Sequence, residues 1–543
     1  MLRVPLLAIA VVILSWGVQT NTAPQHEHPA ASEKLGTVSF TISCTPTAQV
    51  HFNRALALLH SFEFQRALDG FGATLQADPA CGMAEWGIAL SRWGNPFAIA
   101  ERPAAVLQQG RSAIERAGSI GLKSPRERAY VDAVARLYAG EATTPRSARL
   151  AGYRDAMAAV SAAYPADREA SIFYALALAA AAAPTDKTFA DQRKAGAILE
   201  RLIARQPDHP GLAHYIIHAY DAPPLAERAL SAARRYARIA PSAPHALHMP
   251  SHTFTRLGQW QESIDTNLKS GEAARRDGAT AEELHTMDYR VYAYLQTAQD
   301  DAARRLVDLL PEVRARFDPA AIGSAAPGST GVFALAAIPA RYALERGDWA
   351  AAARLDVHAS AVPYADALTH FARALGAART KDPATARAAT AALEDIEHRL
   401  TGSNEAYWAE QTRIQRQAAS AWAALAESHA DEALAGMRAA AELEDATEKA
   451  AVTPGPLAPA RELLGDMLLE LGRAAEARRE FEATLKREPN RFRAVHGAAV
   501  AAAAAGDRVA ARRYEAQLVT ICARGDAPGR PELTAARQSA GRR

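Results

Sequence analysis

The segment from residue 458 to residue 489, APARELLGDMLLELGRAAEARREFEATLKREP, decides the fold class of this chain. Apolar residues recur at helical spacing on both sides of Gly472, which predicts two helices joined by a tight turn. Ala477 and Phe481 lie on the second helix. Pro489 ends it, because proline has no N–H to continue the backbone hydrogen bonds. This spacing is typical of a tetratricopeptide repeat, a helix pair of about 34 residues.

The same unit recurs along the chain. Gly506 and Ala511 repeat Gly472 and Ala477 at an offset of 34 residues. Other units are marked by helix-ending prolines or turn glycines, at Pro79, Pro165, Pro207, Pro241, Gly258 and Gly347. The pattern predicts about twelve helix pairs between residues 46 and 521, and hence an all-α, right-handed superhelical solenoid of tetratricopeptide-like pairs.

Two segments rich in glycine and proline are expected to interrupt the stack. They are GSAAPGST at 323–330 and VTPGPLAP at 452–459. We therefore expect an amino-terminal array at 44–322 and a carboxy-terminal array at 331–522. The tail at 523–543 is locally basic and rich in breakers, and we expect it to be disordered.

The amino terminus predicts export. One arginine precedes an apolar run over residues 4–18, and a polar stretch follows, which is the pattern of a secretory signal peptide over 1–23. The run is shorter than the roughly 20 residues that span a bilayer. No later segment is apolar for long enough, so we expect no transmembrane span in the mature chain. We expect a disordered polar leader at 24–43 and a periplasmic or secreted protein.

Composition excludes several classes of function. The 62 basic and 60 acidic residues balance, so the chain lacks the basic character that predicts nucleic-acid binding. The sequence contains no phosphate-binding glycine loop, no GxSxG, no HExxH and no haem-attachment motif. We therefore nominate no catalytic residue and expect binding rather than catalysis.

Two of the three cysteines suit the repeat architecture. Cys44 and Cys81 are 37 residues apart, close to one repeat, so they are expected at equivalent ends of adjacent first helices. A disulfide between them is one interpretation in an oxidising compartment, and two buried thiols are the other. Cys522 has no evident partner.

The most informative local feature is a histidine pair that occurs twice. His214 and His218 are four residues apart and share one helix face, and His248 and His252 do the same 34 residues later. His245 precedes the second pair. In tetratricopeptide repeats these positions on the first helix line the concave groove, so the imidazoles are expected to converge where neighbouring helices pack about 8 to 10 Å apart.

Three further residues extend this cluster: Asp221, His285 and Asp288. Pro250 falls inside the second helix that carries histidines, which predicts either a late helix start or a bend. Paired imidazoles suit zinc or copper. A polar groove floor without metal is the other interpretation, so no cofactor is assigned.

Four segments resemble an exported family of bacterial tetratricopeptide-repeat proteins. They are FTISCTPTAQVHFNRALALLHSFEFQRAL at 40–68, DPACGMAEWGIALSRWGNPF at 78–97, HPGLAHYIIHAYD at 209–221 and PHALHMPSHTF at 244–254. The resemblance covers roughly residues 40–295 and implies the fold and export, but no activity.

Two functions follow from these observations. The first is a scaffold whose concave groove captures a peptide or protein partner. The second is a zinc- or copper-binding protein built on the histidine cluster. If that second protein were a metal-dependent hydrolase, it would also need a general base, for which Asp221 and Asp288 are the nearest acids.

Overall fold

Antiparallel helix pairs form the whole regular structure of the described chain. The computed structural model describes residues 33–141, 143–321 and 325–541, and these contain helices and loops but no β-strand. Ala, Leu, Arg and Glu favour this outcome, because they lose little conformational freedom in a helix. The predicted signal peptide and the first part of the predicted leader lie outside the described residues.

Six helix pairs make up the first half. They are α1 (Pro46–His60) with α2 (Phe64–Ala77), α3 (Gly82–Trp93) with α4 (Ala104–Ile120), α5 (Pro125–Tyr138) with α6 (Arg146–Ala163), α7 (Arg168–Ala181) with α8 (Ala190–Ile203), α9 (Pro210–Ala219) with α10 (Ala226–Ile239), and the broken helix α11 (Pro244–His248) and α12 (Pro250–Arg256) with α13 (Trp260–Arg276). Pro250 separates α11 from α12, so the predicted bend, rather than a late start, is what occurs.

Six more pairs and a final helix complete the array. They are α14 (Thr280–Gln296) with α15 (Asp300–Ala315), α16 (Gly328–Glu345) with α17 (Trp349–Ala353), α18 (Pro363–Arg379) with α19 (Pro383–Gly402), α20 (Ala406–Ala426) with α21 (Ala430–Asp445), α22 (Ala460–Glu470) with α23 (Ala474–Arg487), α24 (Phe492–Ala504) with α25 (Arg508–Ile521), and α26 (Pro531–Gly541). The all-α solenoid predicted from the sequence is confirmed, with twelve pairs among the described residues.

Residues in the turns and at the helix ends determine where each repeat unit begins and ends. Gly472 and Gly506 adopt φ values of 73° and 82°, a left-handed conformation that glycine reaches without a steric penalty. The helix α1 begins at Pro46, and the Thr45 side chain accepts a hydrogen bond from the backbone N–H of Ala48. Such local signals explain why the unit boundaries could be read from the sequence.

The array curves until distant helices touch. Helix α1 contacts α9, and α14 contacts α24. The loop at 446–459, between α21 and α22, crosses the inner side, where the Tyr289 hydroxyl donates to the carbonyl of Ala451 and Arg341 donates to the carbonyl of Gly455. Residues from Lys34 onward form one compact unit. The inner face of the central repeats is therefore covered by the chain itself.

Two segments predicted as disordered are ordered where the structure describes them, so those predictions are corrected. Residues 34–43 of the predicted leader are tied down by backbone hydrogen bonds from Thr37 to Asp208 and from Ser242 to Lys34, and Phe40 is 1 % exposed. In the predicted tail, Arg530 pairs with Asp300 and donates to the carbonyl of Leu295. Buried apolar side chains and backbone partners outweigh the entropy that composition alone suggested.

Smaller features complete the fold. Helix α16 begins at Gly328, within the segment 323–330 that was predicted to interrupt the stack, and the division into two arrays stays a prediction. Cys44 and Cys81 form a disulfide with a Cα–Cα distance of 5.3 Å, and Cys522 is free and buried. No helix among the described residues is long and apolar enough to cross a membrane.

Candidate metal centre

Three imidazoles from two helices converge in a first triad. His214 and His218 project from α9, and His245 projects from α11. The Nε2 atom of His214 lies 3.1 Å from Nε2 of His218 and 3.2 Å from Nε2 of His245. All three side chains are buried. The 34-residue repeat explains the meeting, because equivalent positions on adjacent first helices face one another.

A second triad lies on the next helices. His248 ends α11, His252 lies on α12, and His285 lies on α14. The Nε2 atoms of His248 and His252 are 3.1 Å apart, and the ring centroids of His248 and His285 are 4.5 Å apart. In each triad, one ligand atom from every residue lies within 4.8 Å of the others.

The two triads are contiguous. Ring centroids of His245 and His248 are 5.8 Å apart, and those of His218 and His252 are 6.0 Å apart. These separations are shorter than the 6.5 Å between His218 and His245 within the first triad. The six imidazoles, each 8 % exposed or less, therefore form one buried cluster with two centres.

The outer nitrogens are held by acceptors. His214 Nδ1 lies 2.7 Å from the backbone carbonyl oxygen of His60, which can only accept, so Nδ1 carries the hydrogen. His252 Nδ1 lies 3.0 Å from an Asp221 carboxylate oxygen, and His245 Nδ1 lies 3.3 Å from a carboxylate oxygen of Glu282. In metal sites such partners fix the tautomer and the orientation of each ring.

His248 has the same arrangement with an amide. Its Nδ1 lies 2.6 Å from Oδ1 of Asn267. The Asn267 amide nitrogen donates to the carbonyl of Ser263 at 2.8 Å, which fixes the oxygen toward His248. The Nδ1 atom of His248 must therefore be the donor, and its Nε2 carries a lone pair.

This tautomer assignment creates a conflict that a cation resolves. A neutral imidazole has one N–H and one lone pair, so hydrogens on Nδ1 leave bare lone pairs on Nε2. Nε2 atoms without a hydrogen face each other at 3.1 Å between His248 and His252, where the Tyr289 hydroxyl is also 3.3 Å from His252 Nε2, and at 3.2 Å between His214 and His245. In addition, Nδ1 of His285 has no hydrogen-bond partner among the described residues. Converging lone pairs repel unless a positive ion lies between them.

Burial keeps the rings neutral. It lowers the pKa of every histidine in both triads, and it lowers the pKa of His248 to about 3. The neighbouring imidazoles lower the pKa of His218 further, because two protonated rings would repel each other. Neutral imidazole is the form that binds a metal, so the ligands are ready at neutral pH.

The two acids nominated from the sequence have different positions. Asp221 accepts from His252 and also from Arg256 at 2.8 Å, and Lys449 lies 3.7 Å away. The cations Lys449 and Arg256 keep the pKa of Asp221 well below its usual range despite burial. Its carboxylate therefore orients a ligand rather than replacing one.

Asp288 is directed elsewhere. Its carboxylate pairs with Arg341 at 2.9 Å, and both side chains are buried. Helical spacing predicted that Asp288 would lie near the cluster, but its carboxylate faces Arg341, which neutralises its charge. We assign it a structural ion pair.

A third buried group was not foreseen from the sequence. The carboxylate oxygens of Glu169 accept hydrogen bonds from His209 Nε2 at 2.8 Å and from His60 Nε2 at 3.1 Å. Helices α7 and α9 are first helices of neighbouring repeats, but α1 reaches them only when the array closes, so sequence spacing does not bring His60 to this group. Each imidazole has a carboxylate partner on Nε2, and His60 Nδ1 lies 2.9 Å from the Tyr215 hydroxyl, whereas His209 Nδ1 has no hydrogen-bond partner among the described residues. The Glu169 carboxylate already bonds both Nε2 atoms, so we do not count this group as a third metal centre. The Glu169 carboxylate also orients the His60 side chain, and the backbone carbonyl of His60 accepts the hydrogen bond from His214 Nδ1.

One turn is strained beside the first triad. Phe62 has φ 57° in the turn between α1 and α2, a region that bulky residues rarely adopt. Corresponding turns carry glycine at Gly472 and Gly506. The Phe62 ring lies 4.4 Å from the ring of His214 and 5.7 Å from that of His218. The strained turn holds an aromatic ring against the triad. The corresponding signal in the sequence is a bulky residue at a turn position that carries glycine in other repeats.

The histidines were expected on an open groove, but they are covered. Phe97 stacks on His218 with ring centroids 3.9 Å apart, and the loop at 446–459 lies over the second triad through Tyr289. Contacts between repeats far apart in sequence produce this burial. The repeat pattern describes only neighbouring units, so it could not reveal the cover.

The fold and site define an all-helical repeat protein with two buried histidine triads. No protein-family model matches the chain, and no curated protein sequence matches it. A solved human IFIT1 dimer with m7Gppp-AAAA is 10% identical over 89% of this chain and 98% of that chain, with a TM-score of 0.36. The P58(IPK) TPR domain is 13% identical over 69% of this chain and 98% of that chain, with a TM-score of 0.21. Such similarity supports no statement about function, which has to be argued from the site.

Proposed function

We propose that this protein is an exported metal-binding protein that holds two transition-metal ions, one in each histidine triad. The observation that carries the proposal is the convergence of Nε2 lone pairs while the outer nitrogens donate to fixed acceptors. A structural cluster of histidines would instead alternate donors and acceptors.

The nitrogen separations support a metal of zinc or copper size. Metal–nitrogen bonds of about 2.0 to 2.1 Å at tetrahedral angles give nitrogen–nitrogen edges of about 3.3 Å. The separations of 3.1 and 3.2 Å are close to this edge length. Neutral imidazoles without a carboxylate ligand favour copper or zinc over magnesium or calcium, and intrinsic affinity places copper above zinc.

The proposed role is binding, with storage, sensing and catalysis left as possible uses of the metal. Each triad supplies three protein ligands, the number found where a further position is open to water or substrate. The two acids near the cluster are already engaged, Asp221 by Arg256 and Asp288 by Arg341. The site therefore offers an open coordination position but no evident general base.

Capture of a peptide or protein partner is the second candidate. It cannot use the six histidines, because they are buried. A surface groove of about 1020 Å³ lies beside the segment at 37–43, with Arg126 and Arg168 on its wall, and this volume is large enough for several residues of a peptide. Exported partners captured from periplasmic extract by the wild type, but not by an Arg126→Glu/Arg168→Glu variant, would support this function.

The test of metal binding is elemental analysis of untagged protein purified from the periplasm. We expect about two equivalents of copper or zinc per chain. His214→Ala with His248→Ala should lose both ions while the helical circular dichroism is retained. The matched control His51→Ala changes a histidine outside the cluster and should retain both. Absence of metal after reconstitution with copper and with zinc would refute the proposal.

The same preparation tests export. Intact mass should give a chain that lacks roughly the first 23 residues, the length of a typical signal peptide. Recovery of the full-length chain from the cytoplasm would contradict the proposed location.

A further inference from the structure

A small void lies where the two triads meet. Its volume is about 50 Å³, and two histidines of each triad line it: His218 and His245 from the first, His252 and His285 from the second. Phe97 closes one side. The rings that would hold the two ions therefore face one shared space.

The size of the void limits what it can hold. A single water needs about 10 to 15 Å³ of such volume. The void of about 50 Å³ is roughly three to five times that volume, so it has room for an ion of about three to five non-hydrogen atoms, but not for a sugar. Met249 and Trp408 contribute apolar wall, so the metals themselves would supply the main attraction.

A larger cavity lies beside the void. It has a volume of about 400 Å³ and shares His218, Phe97 and Ala451 with the void. Its wall also includes Ala183, which is exposed to solvent. The shared wall residues show that the void and the solvent-facing cavity are adjacent.

The charges around the centre favour an anion. Six imidazoles are neutral, and the carboxylates of Asp221 and Glu282 contact the outer nitrogens of His252 and His245. The positive charges of Arg256 and Lys449 lie next to Asp221 and offset it. Two divalent ions would therefore leave a net positive centre, which an anion in the void would neutralise in part.

We infer that the two metal ions share one exogenous ligand, a small anion of about three to five non-hydrogen atoms, which occupies the void between the triads and enters through the larger cavity. This inference rests on the proposed two-metal centre. It makes the protein a binding site for a small inorganic anion as well as for metal.

The test uses azide as the probe on the full-length mature protein loaded with two copper(II) ions, as verified by elemental analysis. We expect one azide per two copper ions, followed by the new charge-transfer absorption and by the change in the electron paramagnetic resonance signal. Two azides per chain, or no azide on a protein with two coppers, would overturn the inference and leave metal binding intact. Failure to load copper would instead overturn the proposed function.

Variants locate the ligand. Ala326 lines the void and not the cavity, so Ala326→Leu should weaken azide binding at least tenfold with two coppers retained. Ala183→Leu, at the cavity mouth, is the matched control and should leave azide affinity unchanged. If Ala326→Leu fails to fold, Ala451→Leu narrows the entry from the cavity and should slow azide binding at unchanged stoichiometry. Unchanged binding and rate in the folded variants would refute the assigned position.

Discussion

Helices α9 and α24 have the same register but different surroundings. His214 and His496 are each the fifth residue of their helix, and His218 and Val500 are each the ninth. His214 and His218 are 0 % and 8 % exposed, whereas Val500 is 41 % exposed. Equivalent positions in the repeat are thus both buried in α9, whereas in α24 His496 is half-buried and Val500 is exposed.

The difference comes from what covers each helix. Phe62, beyond the end of α1, packs on the α9 histidines, whereas the exposure of Val500 shows that this part of α24 has no such cover. Repeat register decides which side chains point inward. Closure of the array decides which of them lose water, and only buried imidazoles with fixed outer partners are held as preorganised ligands.

Metal removal should produce the largest difference in stability between the buried histidine cluster and the equivalent positions of α24. An ion that is present at about 1,000 times its dissociation constant stabilises the folded state by about 4 kcal/mol, so two ions give up to about 8 kcal/mol. We expect the melting temperature of the wild type to fall sharply after chelation. His248→Ala should show a smaller fall, and His496→Ala should match the wild type. Equal falls in the two variants would place the metal outside the triads.

The second prediction removes an ion pair that joins helices from different repeats where the array closes. Arg491 pairs with Glu345 and Glu462 at 2.7 Å each, and all three side chains are fully buried. Arg491→Met leaves the buried Glu345 carboxylate without this partner and leaves Glu462 only Arg493, at 3.4 Å. The variant should lower the free energy of unfolding by about 3 to 5 kcal/mol. Arg304→Met, from an exposed ion pair with Asp308, should change it by about 0.5 kcal/mol or less. Urea denaturation measures both, and similar losses in the two variants would contradict the role of closure.

The third prediction concerns the outer partner of His252. Asp221→Asn keeps the shape but weakens the acceptor that orients the ring, and such changes typically cost about 10- to 100-fold in metal affinity. Competition with a chromophoric chelator measures this loss. Asp288→Asn is the matched control, because Asp288 faces Arg341 and should leave the affinity unchanged.

The fourth prediction uses pH on the metal-free protein. Burial holds the pKa of His248 at about 3, while an unfolded histidine has a pKa of about 6.5. Between these values the unfolded state binds one more proton, so the free energy of unfolding falls as pH falls, by about 1.4 kcal/mol per pH unit for this residue. His248→Gln should reduce the slope between pH 6 and pH 4 by about that amount. An unchanged slope would mean that His248 titrates normally.

The smallest effect should come from copying the pattern onto α24. Val500→His creates a pair with His496 at the spacing of His214 and His218. Because the new residue is exposed, stability should change by about 0.5 kcal/mol or less. The variant should bind no additional tightly held copper, as measured by elemental analysis after dialysis. A third tightly bound ion would show that spacing alone suffices and that burial is unnecessary.

Sequence reasoning predicted the all-α array, and it nominated the six histidines that the structure brings together. The 34-residue spacing alone predicted that His214 and His248 point toward the inner side of the array. Sequence reasoning did not find the carbonyl of His60, because α1 meets α9 only when the array closes. It also did not identify Asn267 or Glu169, which lie on neighbouring helices, because the repeat pattern does not show which polar side chain accepts a hydrogen bond from an imidazole. It also treated the leader and the tail as disordered, since low hydrophobicity does not reveal hydrogen bonds to a distant helix.

Local sequence determined the helices, the turns and the 34-residue register, because backbone conformation and amphipathic packing act between near neighbours. It thereby determined that four imidazoles from two adjacent repeats share one face. Only the tertiary structure decided that His285 completes a second triad and that Phe62, Phe97 and the loop at 446–459 cover the cluster. The physical reason is that burial and hydrogen-bond orientation depend on helices far apart in the chain, and their approach is set by the curvature summed over all twelve pairs.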